Sequence, residues 1–272
     1  MKDLYISDLK TNQEIISYFI VKTVAVKVGS NKKAYLDLLL ADCTWDIADE
    51  ELPGLEKIKE GNIIKVKALV TEWNGMKQLR VTRIRHTSTE DNLEMRDYIK
   101  AAPEDAKEMY DYIYNTADAF QDQDLKNICI RLLIDRKDKL MYYPAAQKNH
   151  HAEMAGLLYH VKRMLMMGQK ACDVYTNLNR DLVLAGVILH DMEKINEIES
   201  NELGISTGYS FEGKMLGHLV QGVKMIDKLA EELNIPREKA VMLEHMIISH
   251  HYEPEFGSPK KPLFPEAEML HY

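Results

Sequence analysis

The feature that most limits how this chain can fold is a change of hydrophobic period near residue 90. Before it, apolar residues tend to recur at every second position in short runs. After it, they recur with helical spacing. Tyr18–Val28, Ala34–Leu40, Ile63–Trp73 and Gln78–Ile84 read as strands. Within Ile63–Trp73, Ile64, Val66, Ala68 and Val70 alternate with Lys65, Lys67 and Leu69. Gly29-Ser30-Asn31 is a turn signal, and Asn74-Gly75 is a strong hairpin dipeptide. Short strands joined by tight turns predict a small closed or nearly closed β-barrel over residues 1–88.

The polar stretch Arg85–Asn92 has no period and marks the domain boundary. Everything beyond it reads as helix. Pro103 followed by Glu104 and Asp105 is a helix start, with proline at the first position and acids in the first turn. Helices are expected at about 104–120, 123–140, 152–168, 180–191, 213–233 and 237–250. Residues 89–145 form a helical connector in this reading, and 146–272 a second, all-α domain.

Composition narrows the function classes. With 272 residues there is room for two cores, and 46% hydrophobic with 29% charged residues excludes a disordered chain. The longest apolar stretches, such as Leu182–Leu189, are too short to span a bilayer. No basic segment followed by an apolar run opens the chain, and its three cysteines lie far apart. A reducing cytoplasm is therefore expected, without a membrane partner. The net charge of −8 hides an asymmetry. Residues 1–90 carry 14 basic against 13 acidic side chains, the remainder 21 against 30. Lys65, Lys67, Lys77, Arg80, Arg83 and Arg85 crowd into residues 61–87 with only Glu72 as an acid. Such a face suits a polyanion, although a solvated strand surface would look the same.

Nine of the ten histidines fall in the helical half. The run Leu182–Leu189 is continuously apolar and ends in His190-Asp191. A helix buried on all sides thus delivers a carboxylate to the edge of a core. An unpartnered buried carboxylate costs several kcal/mol, so Asp191 needs a cation or strong donors. A divalent metal would serve, and Asp191 could bridge two. Lys194, three residues on, shares its side of the chain and could face a phosphate. His160, His218 and the pair His250-His251 sit on or at the ends of other expected helices. Imidazole with a bridging carboxylate suits Mn²⁺, Fe²⁺, Co²⁺ or Ni²⁺, one or two ions.

The order His160, His190-Asp191, His218, His250-His251, with Asp191-x-x-Lys194, resembles the HD superfamily of metal-dependent phosphohydrolases, which is all-α. Over the whole chain, a β-barrel before an HD domain is similar to the YhaM-type 3′→5′ exoribonucleases of Gram-positive bacteria. The matching segments are Tyr35–Asp42, Pro144-Ala145-Ala146 with His150-His151, Gly156–His160, and Ser249-His250-His251 leading to Gly257-Ser258-Pro259. The resemblance implies an OB-fold for the barrel and a nuclease using Mn²⁺ or a similar metal. It implies His160, His190, Asp191, His218 and His250 as ligands, His251 as ligand or substrate contact, and Lys194 at the phosphate. Asp191 and Lys194 are then the catalytic pair. Two departures stand out. HD domains close their site with a C-terminal Asp, and no Asp follows Pro254 here. Either the sequence continues or Glu266 or Glu268 substitutes. The loop Ala41–Trp45 also reads Ala-Asp-Cys-Thr-Trp where Asp-x-Thr-Gly is expected.

An OB barrel holds single strands by stacking bases on aromatic side chains beside a basic groove. Tyr18, Phe19, Tyr35, Trp45 and Trp73 are the aromatic candidates, with Trp73 the most exposed by its place beside a turn. Lys65, Lys67, Lys77 and Arg80 are the phosphate contacts. The implied reaction is hydrolysis of single-stranded RNA, or DNA, from its 3′ end to nucleoside monophosphates. Two other readings stay open: an HD phosphohydrolase of a nucleotide or cyclic dinucleotide, and a single-strand-binding protein with a decayed site. Association into homo-oligomers is compatible with each.

Overall fold

A computed structural model describes residues 3–28, 34–42, 46–50, 58–93, 97–146, 153–202 and 204–272. The chain divides into two compact units, residues 1–101 and 102–272.

Among the described residues the first unit contains five strands: β1 (Glu14–Val28), β2 (Ala34–Ala41), β3 (Asp46–Glu50), β4 (Ile63–Trp73) and β5 (Met76–His86). They close into a barrel in the order β1-β2-β3-β5-β4, with β3 and β5 parallel and the other neighbours antiparallel. This is an OB-fold barrel. The long β1 serves two neighbours. Glu14–Ile20 pairs with β4 and Ile20–Val28 with β2, and an irregularity between Val21 and Thr23 lets the strand turn the corner. Alternation does the rest. Phe19, Ile64, Val66, Val70 and Leu79 point inward and are fully buried, leaving the intervening residues of β4 and β5 outside. Asn74 and Gly75 both have positive φ, as a two-residue hairpin turn of matching twist requires.

Two expectations for this unit change. Phe19 fills the barrel core and is not available to stack a base. β3 has no counterpart in the sequence reading, because Asp46-Ile47-Ala48-Asp49-Glu50 has one bulky apolar residue and no alternation. The turn Gly29-Ser30-Asn31, Cys43, Trp45 and His150-His151 lie outside the described residues, as does the side chain of Tyr35.

The second unit contains α1 (Ala106–Asp118), α2 (Gln123–Leu140), α3 (Gly156–Val174), α4 (Arg180–Leu189), α5 (Lys194–Glu197), α6 (Phe211–Glu232), α7 (Arg237–Ser249) and α8 (Pro265–His271). Asp105, Asp122, Asn179 and Ser210 cap α1, α2, α4 and α6 by accepting from backbone N–H groups. Every residue from Leu182 to Leu189 is buried, and α4 packs against α2, α3, α7 and α8. The helices α1 and α2 share this core through Met109, Ile113, Ile128 and Leu133. Not everything after residue 92 is helical. Ile198–Ser200 (β6) and Ser206–Tyr209 (β7) form a short antiparallel hairpin. The runs are too short for any period to register. Among the described residues no helix is long and apolar enough to cross a membrane.

Candidate metal centre

The core helix α4 stops at Leu189, and His190 to Glu193 form a turn rather than the last turn of the helix. The i→i+3 relation survives, because Lys194 N–H donates to the Asp191 carbonyl at 3.0 Å. The Lys194 ammonium lies 2.8 Å from Asp191 Oδ2. Asp191 is 2% exposed, and its two oxygens face different histidines. Oδ2 lies 3.3 Å from both His160 Nε2 and His190 Nε2. Oδ1 lies 3.5 Å from His218 Nε2 and 3.8 Å from His250 Nε2. The His251 ring is 4.3 Å from that of His250 and 5.1 Å from that of His218, centre to centre. Two sets of ligand atoms result: His160, His190 and Asp191 in one, His218, His250 and His251 in the other. Within each set the ligand atoms lie within 4.8 Å of one another.

Four of these rings are pinned from behind. Nδ1 of His190 donates to the Val187 carbonyl at 2.8 Å, and that of His250 to Ile247 at 2.7 Å. Nδ1 of His251 donates to the Phe256 carbonyl at 2.6 Å, and that of His218 to Glu197 at 3.0 Å. With the proton on Nδ1, each Nε2 turns a lone pair toward the centre, as metal-ligating imidazoles do. Lone pairs converge there with too few protons. Asp191 Oδ1 and His218 Nε2 are both buried and have no hydrogen-bond partner. A buried polar atom without a partner costs about 1–3 kcal/mol. The cluster is satisfied either by protonated imidazoles or by a cation.

Protonation is an incomplete answer. Burial pushes His250 well below its ordinary value, and it lowers His251 as well. Burial would raise the Asp191 carboxyl. The charges of His190 and Lys194, with hydrogen bonds from His160 and His190, outweigh that and hold it well below the usual range. A carboxylate held in its ionised form, beside His250 and His251 that burial keeps from charging, fits a divalent ion.

Residues 157–271 match the HD domain family. The chain is 36% identical over 267 residues to the 3′-5′ exoribonuclease YhaM of Bacillus subtilis (strain 168), covering 97% of this chain and 84% of that one. It is 37% identical over 271 residues to the protein of the same name from Geobacillus sp. (strain WCH70), covering 97% and 82%. The chain belongs to the YhaM family. In the barrel region, the second OB-fold domain of replication protein A from Methanococcus maripaludis is 22% identical, covering 30% of this chain and 92% of that one with a TM-score of 0.26.

Other residues support this YhaM-family site, and of these Glu197 and Gly213 left no mark in the sequence. Glu197 accepts from both Nδ1 and the backbone N–H of His218, at 3.0 and 3.1 Å. Burial raises the Glu197 carboxyl, but these bonds win and lower it. Gly213 allows the approach, since a Cβ there would overlap the Glu197 carbonyl. Gly217, at φ 66°, kinks α6 one residue before His218. Ser258 Oγ accepts from the His251 N–H at 3.1 Å. Of the remaining histidines, His245 accepts from Leu263 N–H, and His271 donates to the His250 carbonyl at 3.1 Å. Glu266 does not complete the cluster. It accepts from Asn179 N–H at the opposite end of α4 from His190.

The barrel candidates separate into two places. Lys65 and Lys67 on β4 and Arg80 on β5 project from the barrel wall. Trp73 and Lys77 stand at the hairpin end, where Trp73 is 64% exposed and Lys77 Nζ donates to the Leu9 carbonyl at 2.6 Å.

Proposed function

We propose that this chain is a metal-dependent 3′→5′ exoribonuclease that shortens single-stranded RNA to nucleoside monophosphates. The observation that carries the reading is the convergence of histidine Nε2 atoms on both oxygens of buried Asp191, with Asp191 Oδ1 and His218 Nε2 left without a hydrogen-bond partner, in a chain of the YhaM family. His160, His190 and Asp191 would hold one ion, and His218, His250 and His251 a second. The mixed imidazole–carboxylate donor set suits Mn²⁺, with Co²⁺, Fe²⁺ or Ni²⁺ able to replace it. When bound, such ions lower the pKa of water toward about 7 and neutralise phosphate charge.

The protein's own groups supply orientation and a proton-free ligand set. The carbonyls of Val187, Ile247 and Phe256 and the carboxylate of Glu197 keep each Nδ1 protonated, so each Nε2 stays free. Lys194 meets a phosphate oxygen of the terminal linkage. Water adds to that phosphorus and the bond to the 3′ oxygen of the preceding nucleotide breaks. That oxygen takes up a proton, leaving a new 3′ hydroxyl and a nucleoside 5′-monophosphate. The barrel holds the upstream strand, with Lys65, Lys67 and Arg80 at phosphates and Trp73 and Lys77 at the hairpin end. The enzyme works in the cytoplasm, where its substrate is. Asp191→Ala tests the reading: single-stranded RNA degraded by this variant in Mn²⁺ at the wild-type rate would sink it.

A further inference from the structure

From the strand register we infer that single-stranded RNA runs along the outer wall formed by β1, β4 and β5, with Lys67 and Arg83 as its central contacts. This deepens the exoribonuclease reading and rests on it. Lys65 lies opposite Arg85, and Lys67 opposite Arg83, in directly paired positions of β4 and β5. Arg80 follows on the same face, opposite Leu69. Like charges directly opposite one another destabilise a sheet. The first pair is relieved within the fold. Asp91 takes both Arg85 nitrogens at 2.8 and 2.6 Å, and Lys65 Nζ lies 4.7 Å from the centre of the Tyr18 ring. The second pair has no such relief. Among the described residues neither Lys67 nor Arg83 has a carboxylate within ion-pair distance, and both are exposed.

On β1 this unrelieved pair is bordered by an exposed aliphatic side chain, with Glu14 two residues further along the same face. Ile16 on β1 pairs with Lys67 and is 64% exposed, and Tyr18 pairs with Lys65. Outward side chains on a strand recur about every 6.8 Å, similar to the spacing of phosphates along an extended single strand. Cations at that interval beside an aliphatic and an aromatic surface match a backbone-tracking, sequence-tolerant mode of binding. An acidic protein would meet the cations but gain nothing from the ladder spacing.

The test is anisotropy of a labelled 15-nucleotide oligouridylate with the full chain in EDTA, so that no strand is cut, across a salt series. Lys67→Ala/Arg83→Ala should weaken binding about tenfold and flatten the log–log salt slope by about 1.4, at about 0.7 per phosphate contact. Ile16→Asp, which removes no cation, should weaken binding in the same direction. Lys170→Ala/Lys228→Ala removes the same charge from the helical unit and should leave affinity within error. Unchanged affinity and slope in both barrel variants overturns the proposal. So does unchanged affinity with an altered oligomeric state, which would assign the wall to chain–chain contact. Absence of RNA cleavage by the wild-type protein would instead strike the exoribonuclease reading, since anisotropy reads binding alone.

Discussion

The metal centre and the barrel wall both concentrate charge that the fold leaves unbalanced, but in opposite settings. At the centre the imbalance is buried, with Asp191 Oδ1 and His218 Nε2 left without a hydrogen-bond partner. On the wall it is exposed and consists of cations without carboxylates around Lys67 and Arg83. Buried imbalance is expensive and directional, so a few atoms at fixed distances specify what fills it. Exposed imbalance is cheap and screened, so it specifies only a polyanion and its approximate spacing. Changes at the centre should therefore be large and specific to the metal. Changes on the wall should be small, additive and dependent on salt.

The largest expected effect is at Asp191. Asp191→Ala removes the carboxylate that faces both sets of histidines and should abolish hydrolysis of 5′-labelled RNA under conditions where the wild-type chain gives a complete ladder. Next comes Glu197→Gln, which keeps the shape but weakens the hold on His218 Nδ1. Losing the partner behind a ligating imidazole typically costs about 10–100-fold in metal affinity or activity, which a metal titration would read. If it cost nothing, the buried centre would be no more exacting than the wall.

Gly213→Ala is expected to cost about 1–3 kcal/mol, because a Cβ there meets the Glu197 backbone. Thermal unfolding would register this, and metal affinity should fall with it. pH sharpens the contrast further. Burial depresses His250 in the folded chain, so between its folded value and the ordinary imidazole range the unfolded chain binds more protons. The metal-free protein should therefore lose stability as pH falls through that range, seen as a falling Tm between about pH 7 and 5. Asp191, held low, adds stability that is lost only at far lower pH. The smallest effect is expected from Trp73→Ala at the hairpin end, within about twofold in RNA affinity if the strand follows the wall.

Most of this architecture was legible in the sequence, and the gaps have physical causes. The β4 limits, Ile63 and Trp73, follow from alternation, and α2 falls where a helix was expected at about 123–140. The histidines and Asp191 were visible because buried polar residues at the end of an apolar helix demand a partner. The groups behind them were not. Three are backbone carbonyls, of Val187, Ile247 and Phe256, which no residue type announces. Glu197 is one acid in a polar stretch until the fold brings it to His218. On the barrel, composition showed six cations in residues 61–87. Only register shows that Arg83 faces Lys67 while Arg85 is already held by Asp91.

Calorimetric titration of the EDTA-treated protein with Mn²⁺ at neutral pH, in two buffers of different ionisation enthalpy, tests the central claim most directly. Filling a cluster of lone pairs already free of protons should give at least one tight site per chain with little proton release, and Asp191→Ala should lose it. A wild-type chain that binds no ion, or an Asp191→Ala variant that binds as the wild type does, would contradict the account.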